Sequence, residues 1–162
     1  IIFCLGAIMD NLDKKILEQL QKDARITNVA LAESVNLSPA PCLRRVRDLE
    51  DQKVITGYTA LLDPEKVGWN VSVFIEVRLE KQVLEQLKIF EETIEQYPEV
   101  MECYLMTGTF DYLLRVIAKD LNSLQSFITN KLASIPNVSK MRSSIALKQI
   151  KYRTDLPVES EA

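Results

Sequence analysis

Three arginines in a run of four, Arg44, Arg45 and Arg47, follow a start that reads Ser38-Pro39-Ala40-Pro41. A guanidinium presents a planar fork of donors that fits a phosphate, or the O6 and N7 acceptors of guanine, so this group is chemistry aimed at nucleic acid. At 100° per residue, Cys42, Val46 and Leu49 fall on one side of a helix, with Leu43 at its edge; Ala40, Arg44, Arg47 and Asp51 fall on the other. Arg44 and Arg47 are therefore the candidates for base edges. Arg45, on the flank, and Ser38, at the helix start, suit phosphates, and Pro39 and Ala40 complete a slim end that can enter a groove. Which arginine reads a base stays open. Arginines on an arbitrary exposed helix more often only solvate it. Here the acidic Asp48, Glu50 and Asp51 lie a turn later, away from the end that would meet DNA.

Catalytic chemistry is poorly provided for. The chain has no histidine, which removes the commonest general base and metal ligand, and no Ser/Lys, cysteine-pair or multi-carboxylate constellation stands in for it. Cys4, Cys42 and Cys103 are odd in number and far apart, which argues against a disulfide framework and for a reducing compartment. The expectation is a protein without enzymatic activity, metal or cofactor. A second function class, a protein–protein adaptor, is disfavoured by a recognition face that carries arginines and no large exposed apolar residue.

The arginine helix needs a scaffold. Asp13 opens a helix with Ile16, Leu17 and Leu20 at helical spacing, ending by Asp23-Ala24-Arg25. Thr27 caps a second, short helix with Val29, Leu31, Ala32 and Val35 on its buried face. Asn36 suits a left-handed turn, Ser38 an N-cap and Pro39 the first helical position, so the third helix spans 39–52. Two short helices joined by a tight turn make a helix-turn-helix. The net charge of −3 speaks against nucleic acid only until the chain is divided. Residues 9–60 are neutral, with eight basic against eight acidic side chains, and the acidity belongs to the remainder.

Beyond this unit, Ile55 to Leu62 reads as a strand leaving the helices and 61–70 as a linker or hinge. From Val71 the period becomes two: Val71, Val73, Ile75, Val77 and Leu79 alternate with Ser72, Phe74, Glu76, Arg78 and Glu80. A helix carrying Val83, Leu87, Phe90 and Ile94 follows. Strands at 100–106 and 110–118 flank Thr107-Gly108-Thr109, a second helix carries Leu121, Leu124, Phe127, Ile128 and Leu132, and a last strand starts at Val138. The order βαββαβ predicts a four-stranded antiparallel sheet with both helices on one face, the ferredoxin-like arrangement. Its other face would expose Phe74, Leu113 and Ile117, which predicts self-association about a two-fold axis.

The fold class expected is α+β: a helix-turn-helix (winged-helix-like) domain at 9–60 and a ferredoxin-like domain at 71–152. Residues 1–8 read as a leader, too short to span a bilayer, or as a start-site artefact ahead of Met9; 153–162 read as a C-terminal tail.

Three stretches carry a specific resemblance. They are Leu12-Asp13-x-x-Ile16-Leu17-x-x-Leu20-Gln21-x-Asp23-Ala24-Arg25, then Leu37-Ser38-Pro39-Ala40-Pro41-Cys42-Leu43-Arg44-Arg45-Val46-Arg47-x-Leu49-Glu50, then Ile55-x-Gly57-Tyr58. Together they closely resemble the DNA-binding domain of the leucine-responsive regulatory protein family, Lrp/AsnC. The resemblance continues through Glu102-Cys103-x-Leu105-Met106-Thr107-Gly108-Thr109-Phe110-Asp111-Tyr112-Leu113-Leu114, which looks like that family's effector-binding loop.

What the resemblance implies is a cytoplasmic bacterial transcription regulator that binds double-stranded DNA as a homodimer. Its dimers assemble into an octamer, with an amino-acid effector held between dimers. Thr107, Gly108, Thr109, Asp111 and Tyr112 would form the loop side of the effector site, and Ser144, Ile145 and Ala146 the side that affects response. The neighbouring strand adds Met106. A zwitterion needs an anion for its ammonium, here Asp111, and peptide N–H groups for its carboxylate, here the Thr107–Thr109 turn. The residues alone favour a plain hairpin capped by Asp111; the resemblance reverses that preference in favour of the effector. Apolar neighbours favour leucine or methionine over asparagine, since a charged effector would lose hydration without a partner. Sirohaem decarboxylases resemble the same two-domain pattern but rely on histidines, which this chain lacks.

Overall fold

The computed structural model describes residues 9–158, which form two compact units. One comprises the described residues up to Ala60 together with those from Lys151; the other is Leu61–Ile150. The leader expected at 1–8 lies outside the described residues.

The first unit is built on three helices, α1 (Asn11–Lys22), α2 (Asn28–Ser34) and α3 (Pro39–Asp51). Helix α1 starts earlier than Asp13. Asp10 is the cap, accepting the N–H groups of Leu12 and Asp13, and Asp13 is the third helical residue, whose carboxylate accepts the Asp10 N–H. Two carboxylates three residues apart look alike in sequence, and only the reciprocal bonding tells which one caps. Thr27 caps α2 through Ala30, as expected. Asn36 takes the left-handed turn with φ 57°. Ile16, Leu17, Leu31, Ala32, Val35, Cys42 and Leu49 form the buried core. At 39–51 the third helix keeps its expected core face.

Two expectations need correction. Residues Ile55–Leu62 form no strand: a strand requires a ladder partner, and among the described residues none pairs with this segment, which leaves Tyr58, Leu61 and Leu62 exposed. The tail is not free either. The Gln21 side chain donates to the Leu156 carbonyl at 3.0 Å and accepts its N–H at 2.6 Å, and Val158 packs against the helical core. Positions 159–162 of the expected tail lie outside the described residues.

In the second unit β1 (Val71–Leu79), α4 (Leu84–Ile94), β2 (Val100–Leu105), β3 (Tyr112–Ala118), α5 (Leu121–Ser126) and β4 (Val138–Ile145) give the βαββαβ order. The sheet is antiparallel with strand order β2-β3-β1-β4. Val73, Ile75, Val77, Leu79, Tyr112, Leu114 and Val116 point to the helix side, where they meet Phe90, Ile94, Leu124, Phe127, Leu132 and Ile135. Helix α5 passes into a π-turn at Phe127–Lys131 and a 3-10 turn at Leu132–Ser134. Phe127 and Leu132, five apart, both reach the core because the wider turn brings i and i+5 to one side. Strand β4 stops at Ile145 and not near Lys151, since among the described residues it pairs only with β1, whose start is marked by the bond from Ala146 N–H to the Ser72 carbonyl.

On the other sheet face Phe74 is 40% exposed and Leu113 and Ile117 are half-buried. Ion pairs cross this apolar surface, Arg115–Glu102 at 2.6 Å and Arg142–Glu76 at 2.7 Å. The face is amphipathic, which suits an interface more than a dry core.

Gln21→Ala removes both anchors of Leu156 and is expected to cost about 1 kcal/mol, allowing for their exposure. Hydrogen exchange of the α1 amides should then accelerate by roughly fivefold. Unchanged exchange would mean the tail adds nothing to this unit.

Candidate DNA and effector interfaces

Helix α3 begins at an N-cap, Ser38, whose hydroxyl makes no capping hydrogen bond. Ser38, Pro39 and Ala40 are all exposed. Helix α2 holds this end in place, because the Asn28 side-chain amide donates to the Pro39 carbonyl at 2.8 Å. Arg44 and Arg47 are exposed, and neither has a carboxylate partner among the described residues. Arg45 departs from expectation. Its Nη1 lies 2.7 Å from Asp13 and 2.8 Å from Asp10, so its guanidinium turns to α1 and is shared between two carboxylates. The hydrogen bond to Asp13, followed by that to Asp10, raises its pKa further above an already high value.

The loop between β2 and β3 is held from within. Asp111 is buried, with Oδ2 accepting the Leu79 N–H at 2.7 Å and Oδ1 accepting Gln82 Nε2 at 2.6 Å. Its backbone accepts from Met106 N–H and donates to the Val77 carbonyl. Both carboxylate oxygens are thus committed to the fold, and the carboxylate does not stand open to an ammonium as the sequence suggested. What it fixes is the exposed turn Thr107-Gly108-Thr109, in which Gly108 takes φ 128°, a conformation that favours glycine. Among the described residues the N–H groups of Thr107, Gly108 and Thr109 have no acceptor, so they remain available to an anion.

Tyr112 also differs from expectation. It is buried in the helix-side core, its ring tilted 35° against Phe90 with centroids 4.5 Å apart, and its hydroxyl donates to Glu91 at 2.7 Å. Burial, followed by the Glu91 contact, pushes the phenol well above its ordinary pKa. Met106 and Ile145 are exposed and Ala146 is half-buried. Ser144 is exposed on the same sheet face as Phe74, its cross-strand neighbour.

The structure does not bring the two halves of the expected effector site together within one chain. The loop sits beside Val77–Leu79 at one end of β1, whereas Ser144–Ala146 lie beside Ser72–Phe74 at the other, about 15 Å away at strand spacing. Closer to the loop is a hollow of about 170 Å³ lined by Glu76, Arg78, Thr109, Phe110, Lys140, Met141 and Arg142. Arg78 and Lys140, which the sequence reading missed, have no carboxylate partner among the described residues. The signal was available for Arg78, since its place in the alternation puts it on the same face as Phe74.

The family model for the Lrp/AsnC ligand binding domain matches residues 72–156, and that for a winged helix-turn-helix DNA-binding domain matches 9–56. The chain belongs to the Lrp/AsnC family. It is a DNA-binding transcription regulator with a small-molecule-binding domain. Among relatives of this Lrp/AsnC regulator, the Bkd operon transcriptional regulator of Pseudomonas aeruginosa is 47% identical over 152 residues, 94% of this chain and 99% of that one. The leucine-responsive regulatory protein of Escherichia coli K12 is 37% identical over 96% of this chain and 94% of its own. A Neisseria meningitidis transcriptional regulator solved in complex with L-Met superposes with TM-score 0.87 at 41% identity, covering 92% of this chain and 96% of that chain. An AsnC family regulator from Agrobacterium tumefaciens gives TM-score 0.87 at 43% identity, with 92% and 97% covered.

For this Lrp/AsnC protein, Arg44→Ala and Arg47→Ala are each expected to weaken binding to a selected operator by about 1–3 kcal/mol where the side chain reads a base, and less where it meets phosphate alone. Fluorescence anisotropy across a salt series checks this. Parental affinity in both variants would remove α3 from the DNA interface.

Proposed function

We propose that this regulator binds an apolar α-amino acid, leucine or methionine, in a site shared between copies of the chain, and that occupancy alters its DNA binding. The observation that carries the reading is the Thr107-Gly108-Thr109 turn, with unpaired N–H groups held by a buried Asp111. Such a turn receives the effector carboxylate, with Arg78 and Lys140 adding positive potential from the adjoining hollow. Met106 and Ile145 supply exposed apolar surface for the side chain. A second copy supports the separation of the loop from Ser144–Ala146: the β4 end of one chain completes the loop of another. The Neisseria relative solved with L-Met supports an amino-acid effector of this class.

The dimer we propose forms through the sheet face bearing Phe74, Leu113 and Ile117, and dimers gather into an octamer, in which a site between dimers recurs. Arg44 and Arg47, with Ser38, Pro39 and Ala40 at the tip of α3, carry DNA contact. The protein acts without catalysis and without a cofactor other than its effector. We place it in the cytoplasm, where a DNA-binding regulator meets its target.

Thermal shift against the twenty amino acids, followed by calorimetry, tests the effector. Leucine or methionine at a hundredfold excess over its Kd should stabilise the fold by about 2.7 kcal/mol. Arginine or glutamate binding more tightly than both would overturn the pocket. Separately, Phe74→Asp should shift the oligomer towards monomer in light scattering, and an unchanged mass would send the dimer interface elsewhere.

A further inference from the structure

We infer that Arg45, the middle member of the arginine run, is a positioning residue for DNA recognition: it clamps the recognition helix to the N-terminal cap of α1 and does not itself touch DNA. The argument rests on how four carboxylate oxygens are used. Asp10 gives Oδ1 to the N–H groups of Leu12 and Asp13, both at 2.9 Å, and Oδ2 to Arg45 at 2.8 Å. Asp13 gives Oδ2 to the Asp10 N–H at 3.2 Å and Oδ1 to Arg45 at 2.7 Å. Each carboxylate therefore spends one oxygen on starting α1 and the other on α3, so one network sets both the first turn of α1 and the position of Arg45.

Charge and burial agree. Two carboxylates surround a single guanidinium, so the cluster carries net −1 and repels a phosphate that approaches it. The Arg45 side chain is 28% exposed and that of Asp13 17%, which shelters the pair from the solvent screening that weakens open surface ion pairs. Arg44 and Arg47 flank Arg45 in sequence and point outward. Fixing Arg45 against α1 fixes the rotation of α3 about its axis, and with it the direction in which those two side chains project.

The two possible roles differ in the sign of an effect. A phosphate-contacting Arg45 would be held back by Asp10 and Asp13, so Asp13→Asn would free it and strengthen operator binding. A positioning Arg45 loses the shorter and less exposed of its two contacts in the same variant, and discrimination falls. The probes are a duplex selected by the parent chain from a random-sequence pool and a random duplex of equal length, titrated against the full chain over a salt series.

For Arg45→Met and Asp13→Asn the operator-to-random affinity ratio should fall by roughly tenfold, the scale of one misread base pair. The slope of log K against log salt should stay at the parental value in Arg45→Met. Loss of one phosphate contact would instead lower that slope by about 0.9. Asp10→Asn serves as the arm that keeps α1 intact, because asparagine caps a helix as well as aspartate does. It should lower the ratio less, as Asp13 remains. A reduced slope in Arg45→Met, tighter operator binding by Asp13→Asn, or parental ratios throughout would each overturn the assignment.

Discussion

Strand β1 is hydrogen-bonded along both edges, to β3 and to β4, and nearly every feature of the second unit follows from its register. Its two-residue period sends Val73, Ile75, Val77 and Leu79 to the helices and Phe74, Glu76 and Arg78 to the opposite face. Its C-terminal end receives the Asp111 carboxylate through the Leu79 N–H, which shapes the exposed turn; its N-terminal end receives Ala146. A one-residue slip would put Phe74 in the core and Val73 and Ile75 in water, so burial on the helix side holds the register. A single strand thus keeps the two candidate effector elements apart, and a site that uses both has to draw on more than one chain.

In the DNA-binding unit the deciding forces are local. The net charge of −3 describes the whole chain, yet Arg44 and Arg47 face solvent without a carboxylate partner among the described residues. Two of the nearby acidic residues, Asp10 and Asp13, are occupied in capping α1 and holding Arg45. Arg45 offsets one of these two negative charges, and Arg44 and Arg47 keep the outer side of α3 positive.

Periodic features were legible in the sequence. The core sides of α1 and α3 followed from Ile16, Leu17, Cys42 and Leu49, and the sheet order followed from one run of alternation and two helical stripes. Less legible were contacts that join residues remote in sequence. Arg45 meets Asp13 across 32 positions, and Gln21 meets Leu156 across 135, separations at which no spacing rule applies. Asp111 was misjudged because a carboxylate beside a glycine turn reads the same whether it serves a ligand or the turn. Tyr112 was within reach: it shares parity with Leu114 and Val116, and parity alone would have assigned it to the core.

The return of residues 151–158 to α1 gives this protein a particular order of manufacture. The effector unit is one uninterrupted stretch, 61–150, and can fold as soon as it has left the ribosome. The DNA-binding unit, though begun first, keeps an open groove lined by Leu17, Leu20, Ile55 and Tyr58 until Leu156, Pro157 and Val158 arrive. At translation rates of about 5–20 residues per second, that leaves several seconds in which three helices are present but unfinished. The part of the chain that reads DNA is begun before the effector unit and completed after it.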